Sequence, residues 1–283
     1  MKERPGCDDA RQMARKGAPA SPVAVGDTLA GKYLVERILG AGGMGVVVAA
    51  KHLQLGERVA IKFLLPDALN HPEVTARFEQ EGQTAAKVRS EHVARIHDVG
   101  TLDNGAPFIV MEYLEGRDLA ALIDERGGIP LEEAALYLLQ ICEALAEAHS
   151  MGIVHRDLKP GNVMLTRRKD GRAAVKLIDF GISKLMTPAV DRQMTLPAVM
   201  MGSPLYMAPE QMISARDVDH RSDIWSLGAI FYQLLTGRPP YDGKSVSQVY
   251  DLIMLGPPRV RDVLPNIPEG VEVIIRRCLR KEP

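Results

Sequence analysis

His155-Arg156-Asp157-Leu158-Lys159-Pro160-Gly161-Asn162 is the stretch that decides the reading of this 283-residue chain. Asp179-Phe180-Gly181 begins 17 residues after Asn162, and Ala208-Pro209-Glu210 closes the segment. An Asp, an Asn five residues later and a second Asp beyond a hairpin bring three oxygen ligands or acceptors to one site. A hard cation such as Mg²⁺ and a phosphoryl acceptor need groups of that kind. Any one of these triplets could fall in a loop by chance. All of them, in order and on suitable elements, do not.

Outward from that stretch, Leu131, Ala135, Leu138, Leu139, Cys142, Leu145 and His149 recur at helical spacing until Gly152, which predicts a helix over 131–149. Val163–Thr166 and Ala174–Ile178 flank Arg168-Lys169-Asp170-Gly171, a hairpin signal. Ser222 is expected to cap a helix over 223–235, ended by Gly237 and two prolines. Further helices are expected over 246–254 and 271–280. Before Leu114 the texture is different. Tyr33–Leu39, Val46–Lys51 and Arg58–Leu64 read as strands. A helix is expected over 73–88, weakened by Gly82 at a cost of about 1 kcal/mol relative to alanine. Val93–Gly100 and Pro107–Tyr113 flank Asp103-Asn104-Gly105 and read as a hairpin. Residues 1–26 read as a disordered arm, 27–114 as a β-rich lobe and 115–283 as a larger helical lobe.

Gly40-Ala41-Gly42-Gly43-Met44-Gly45 fits G-x-G-x-x-G. A dinucleotide-binding turn would continue as a helix, whereas here Val46-Val47-Val48-Ala49-Ala50 continues as a strand. A glycine loop between antiparallel strands can fold over phosphates and offer them backbone N–H groups. A plain glycine-rich hairpin fits this motif equally well on its own. Lys62 ends the apolar run Val59-Ala60-Ile61, and its charge must be paired or exposed. Glu81 on the next helix is a partner of the right sign; a surface lysine on an edge strand is the commoner arrangement.

Lys and Arg total 35 against 36 Asp and Glu, a net charge of −1 that argues against nucleic-acid binding driven by bulk charge. The 46% hydrophobic and 25% charged content is that of a globular chain. Cys7, Cys142 and Cys278 are far apart, without the spacing of a disulfide framework or zinc site. Ile224 to Leu235 is too short and too polar to span a bilayer. Lys2, Glu3, Arg4, Asp8 and Asp9 leave no apolar core for a signal peptide. These features lead us to expect a soluble, cytoplasmic chain in a reducing environment, and they leave the oligomeric state open.

With these motifs in place, residues 27–283 resemble the eukaryotic-like Ser/Thr protein kinases. Arg77-Phe78-Glu79-Gln80-Glu81 and Gly202-Ser203-Pro204-Leu205-Tyr206-Met207-Ala208-Pro209-Glu210 resemble the bacterial branch. The resemblance implies an α+β, two-lobed fold, an antiparallel sheet with one helix followed by a mainly helical lobe. It implies ATP and Mg²⁺ as ligands and the Ser or Thr hydroxyls of proteins as acceptors. Gly40, Gly42 and Gly45 would cover the phosphates. Lys62 would hold the α- and β-phosphates and pair with Glu81. Val47, Ala60 and Met164 would enclose the adenine, Met111 would guard the deeper pocket, and backbone groups of Glu112 and Leu114 would bond its edge. Asn162 and Asp179 would carry the metal, Asp157 would orient and deprotonate the acceptor, and Lys159 would neutralise charge on the moving phosphoryl group. Asp223 would brace the catalytic loop. A phosphate on the segment between Asp179 and Glu210, first at Thr195, then at Thr187 or Ser183, would pair with Arg156.

Three departures from the family pattern stand out. Ser203 stands where Thr is usual, Gly82 follows Glu81, and the sequence stops at Lys281-Glu282-Pro283 before the family's last helix and its Arg. A carboxylate buried without its cation costs about 3–5 kcal/mol, so Glu210 is expected to be solvated or paired with a substitute. Two other readings compete: a nucleotide-binding pseudokinase or scaffold, and a small-molecule phosphotransferase. The intact Lys62, Asp157, Asn162 and Asp179 weigh against the first, and Lys159 with Ala208-Pro209-Glu210 weighs against the second.

Overall fold

The computed structural model describes residues 23–41, 45–102, 104–168, 170–180, 204–213 and 218–282. Strands β1 (Thr28–Leu29), β2 (Tyr33–Ala41), β3 (Gly45–His52) and β4 (Arg58–Leu64) come first. Helices α1 (Pro66–Leu69) and α2 (Pro72–Ala85) and strands β5 (Ile96–Thr101) and β6 (Pro107–Glu112) complete the first lobe. The six strands form one antiparallel sheet in the order β1-β2-β3-β4-β6-β5.

Alternation with period two gives this sheet two apolar faces. Val46, Val48, Val59, Ile61, Phe63, Phe108 and Val110 pack on one. Ala60, Leu64, Ile109 and Met111 pack on the other, against Val74 and Phe78 of α2. Gly82 sits at the closest approach of helix and sheet, where a Cβ would stand 2.8 Å from Ile109 Cδ1 and 3.2 Å from Val99 Cγ2. The glycine therefore sets a packing distance and is more than a weak point in the helix. The helix ends at Ala85, three residues before the expected end, although Val88 is still buried.

Val23 is buried in the same core, and Gly26 N–H donates to Val35 O at 2.9 Å. The lobe thus includes residues 23–26, which the sequence reading gave to the arm. The strand expected from Val93 starts at Ile96, because Val93 bridges Leu177 in the other lobe and Ala94 N–H donates to Leu177 O at 2.8 Å.

The second lobe contains β7 (Arg117–Asp118), α3 (Leu119–Arg126), α4 (Leu131–Ser150), β8 (Val163–Arg167) and β9 (Ala173–Leu177). It continues with α5 (Pro209–Ile213), α6 (Arg221–Thr236), α7 (Val246–Leu255), α8 (Val260–Val263) and α9 (Glu269–Cys278). Strands β7, β8 and β9 form a small antiparallel sheet. Helix α6 is buried on most sides, through Trp225, Ala229, Ile230, Leu234 and Leu235 among others, and α4 and α9 pack on it.

The sequence reading missed α3, although its signal was present. Asp118 Oδ1 accepts from Ala121 N–H at 2.8 Å, and Leu119, Leu122 and Ile123 are buried at helical spacing. Ser222 does not cap α6. It lies inside the first turn and its Oγ donates to Asp219 O, while Asp219 Oδ1 takes the Arg221 N–H, both at 2.8 Å. Among the described residues, no helix is long and apolar enough to cross a membrane.

Candidate active site

The floor of the site is the loop between α4 and β8. Pro160 opens a single 3₁₀ turn over Pro160–Asn162 that folds Asn162 back onto Asp157. Asn162 Nδ2 donates to the Asp157 carbonyl at 2.8 Å and to its Oδ2 at 3.1 Å. Lys159 Nζ lies 2.8 Å from the same Oδ2. The carboxylate of Asp157 is thus aimed by its own loop, with a cation beside it.

Asp223, in the first turn of α6, holds that loop from below. Its Oδ2 accepts from His155 N–H at 2.8 Å and its Oδ1 from Arg156 N–H at 2.9 Å. His149 Nε2, on the last turn of α4, lies 2.8 Å from Oδ2. The carboxylate is fully buried, and three charge-assisted bonds offset its desolvation. They also hold Arg156 at φ +62°, a left-handed conformation that costs a non-glycine residue about 1–3 kcal/mol. Asp179 has the same feature, at φ +59°. Gln211 ties the loop sideways, with its Nε2 donating to Arg156 O at 2.9 Å and its Oε1 accepting from Ala208 N–H at 3.0 Å.

His155 is wholly enclosed. Its ring lies 4.7 Å from that of Phe180, and its Nε2 donates to Ile178 O at 3.1 Å. Burial pushes its pKa below the usual 6.5, so the imidazole is neutral near pH 7. It links the floor to the strand end that carries Asp179.

The roof comes from the first lobe. Lys62 on β4 reaches across the cleft to Asp179, Nζ to Oδ1 2.7 Å. The side chain of Glu81, its expected partner, lies outside the described residues, as do Gly42 and the whole of 181–203 with Ser183, Thr187, Thr195 and Ser203. On the strand face shared with Lys62, Ala60 pairs with Met111, and Val47 pairs with Lys62. Ala60, Met111 and partly buried Val47 pack in one cluster. Gly40 pairs with Val47 on the adjoining strand. Met164 lies on β8 opposite Lys176, Glu112 is the last residue of β6, and Leu114 lies in the connection that follows it.

Asn162 uses its amide N–H groups on Asp157, and among the described residues its Oδ1 takes no hydrogen bond. Asp179 likewise keeps Oδ2 uncommitted while Oδ1 meets Lys62. Two free oxygen donors of this type fit a hard divalent cation. Sequence reasoning passed over His149, read only as a helix position, although it stands six residues before His155. It also passed over Gln211, for which the sequence carries no distinguishing signal.

The cleft thus has a mostly apolar roof from which one lysine, Lys62, reaches Asp179 above the Asp157 loop. The family model described as the protein kinase domain matches residues 33–283. This chain belongs to that family, in its bacterial serine/threonine branch. It is 39% identical over 256 residues to the serine/threonine-protein kinase Pkn1 of Myxococcus xanthus, covering 89% of this chain and 36% of that protein. It is 36% identical over 265 residues to pkn3 of the same organism, covering 92% and 48%. Crystal structures of the Mycobacterium tuberculosis PknI kinase domain superpose with a TM-score of 0.72 at 30% identity, covering 92% of each chain. The chain spans less than half the length of the curated relatives named here.

Proposed function

We propose that this chain transfers the γ-phosphate of ATP to Ser and Thr hydroxyls of protein substrates. The observation that carries the reading is the convergence of Lys159 and Asn162 on one carboxylate, Asp157, in a loop fixed from below by Asp223. Asp157 orients the acceptor hydroxyl and takes its proton. Lys159, already 2.8 Å from Asp157, neutralises charge on the moving group. Lys62 holds the α- and β-phosphates, and Val47, Ala60, Met111 and Met164 enclose the base, whose edge meets the backbone of Glu112 and Leu114. Gly40, Gly42 and Gly45 cover the phosphates with backbone; at Gly45 a Cβ would also collide with the Phe63 carbonyl on β4. Asn162 and Asp179 hold Mg²⁺, which neutralises phosphate charge when bound. Most of the rate gain comes from positioning and fixed charge, because a loose transition state asks little of a strong base.

Regulation belongs to the same reading. Arg156 Nε is buried and has no hydrogen-bond partner among the described residues. A phosphate on Thr195 supplies one, with charge-assisted bonds that order the segment before Glu210.

Labelled ATP, Mg²⁺ and a generic basic protein, beside an Asp157→Asn control, test the proposal. Transfer is expected from the wild type and a loss of about 10²- to 10⁴-fold from the variant. Nucleotide binding without transfer by the wild type would favour a pseudokinase.

A further inference from the structure

Two consecutive side chains, where β6 runs into the connection between the lobes, are fastened in opposite directions. Glu112 Oε2 lies 2.8 Å from Nζ of Lys176, on β9 of the second lobe, and accepts from Arg95 N–H at 3.2 Å. The hydroxyl of Tyr113 accepts from Nη2 of Arg37, on β2 of the first lobe. That strand runs directly into the glycine loop. Arg58, at the start of β4, stands on the same ring, its guanidinium carbon 6.0 Å from the ring centre and that of Arg37 5.9 Å. Arg58 is neutralised by Glu36 at 2.8 Å. Arg37 has no carboxylate within 4 Å among the described residues, and Tyr113 is the side chain its guanidinium meets.

We propose that Glu112 and Tyr113 form a two-sided clamp on the connection, held by Lys176 to the helical lobe and by Arg37 to the glycine-loop strand, that sets how tightly ATP is bound. The inference rests on the kinase reading above, since it is the backbone at 112 and 114 that meets the adenine. Arg37, Tyr113 and Lys176 are positioning residues that act through that backbone. Their hold on the adenine is the same before and during transfer, so they shift nucleotide affinity and leave the chemical step unchanged.

The test uses the full chain and two readouts: equilibrium binding of a fluorescent ATP analogue, and steady-state turnover with varied ATP. Tyr113→Phe removes one oxygen, and Arg37→Met removes the donor. Each is expected to raise the dissociation constant and KM for ATP about three- to tenfold, as for one charge-assisted hydrogen bond at a wet rim. The value of kcat is expected to stay within about twofold. The double variant is expected to be no weaker than the worse single variant, because both break the same bond. Lys176→Met is expected to weaken binding in the same direction from the other side. Unchanged nucleotide affinity in Tyr113→Phe, or losses that multiply in the double variant, would overturn the clamp. Should Arg37→Met prove unstable on melting, Tyr113→Phe alone carries the decision. A wild type that binds the analogue but transfers no phosphate overturns the kinase reading, while the binding data still decide the clamp.

Discussion

The floor and the roof of the cleft are held by opposite means. The floor is over-determined: one buried carboxylate, Asp223, takes two backbone N–H bonds and a bond from His149, and Asn162 and Gln211 secure the same loop from above and beside. All of those partners lie in the second lobe. Within the site the roof meets the floor through the pair of Lys62 with Asp179, beside the contacts of Val93 and Ala94 with Leu177 and of Glu112 with Lys176, and at the rim the Tyr113 contact is partly exposed. On the proposed reading, transfer by positioning needs an acceptor site that does not shift, while nucleotide has to enter and leave. The difference between the two regions is a division of labour: the floor is the fixed half, and the roof is joined to it by fewer bonds within the site.

The largest effect is expected where that division is broken from the fixed side. Asp223→Ala leaves two buried N–H groups and an imidazole without their acceptor. It is expected to cost about 3–5 kcal/mol of stability, with transfer lost in step. Lys62→Met removes a partly solvated pair and is expected to cost no more than about 1–2 kcal/mol, while transfer falls at least about 10²-fold. Denaturant titration of both variants, beside turnover at saturating ATP, separates the two. Equal losses of stability would show that floor and roof are held alike.

The sequence was informative where chemistry and local pattern coincide. The loop around Asp157 needs particular residue types at fixed spacing, so its members could be named directly. The strands of the first lobe are short apolar runs between turn residues, and β2, β3, β4 and β6 were placed to within one or two residues, whereas the two-residue β1 was missed and the strand expected at Val93 starts later. What escaped was set by long-range packing. Gly82 reads as a flaw in a helix until Ile109 and Val99 are seen against it. Val93 reads as a strand start because its bridge to Leu177 joins two lobes 84 residues apart in sequence. His149 and Asp223 are 74 residues apart, and neither helix advertises the other.

A smaller effect, dependent on pH, sharpens the same comparison, because it reports on the floor alone. Burial lowers the pKa of His155 below 6.5 in the folded chain. As pH falls through that value, the unfolded chain takes up a proton that the folded chain resists. The contribution of His155 to stability is therefore complete above about pH 6.5 and declines below it, until the folded pKa is reached. Melting temperature is expected to fall from about pH 7.5 to about pH 5.5 in the wild type. His155→Phe is expected to be less stable at neutral pH, since Ile178 O loses its donor, but to show a flatter profile. Identical slopes in the two proteins would mean that the imidazole protonates freely in the folded state.

The smallest effect is expected at Glu210, on the edge of the platform beneath the cleft. The residue is half-buried in the first turn of α5 and lines a cavity of about 430 Å³ with Arg221, Arg277 and Arg280. Among the described residues it makes no ion pair within 4 Å. Arg221 is held first by its hydrogen bond to Asp219, and Glu210 adds only a weaker attraction through the field. The carboxylate is therefore neither sealed from water nor stranded without positive charge, which are the conditions under which a lone buried acid costs several kcal/mol. Glu210→Gln is expected to cost less than about 1 kcal/mol, in the range of exposed pairs. Because the attraction acts through solvent over more than contact distance, the cost is expected to shrink further between about 0.05 M and about 0.5 M salt. Melting curves of wild type and variant at both ionic strengths measure it. A loss of several kcal/mol that does not respond to salt would place Glu210 in a closed, direct ion pair and make this edge of the platform part of the fixed half.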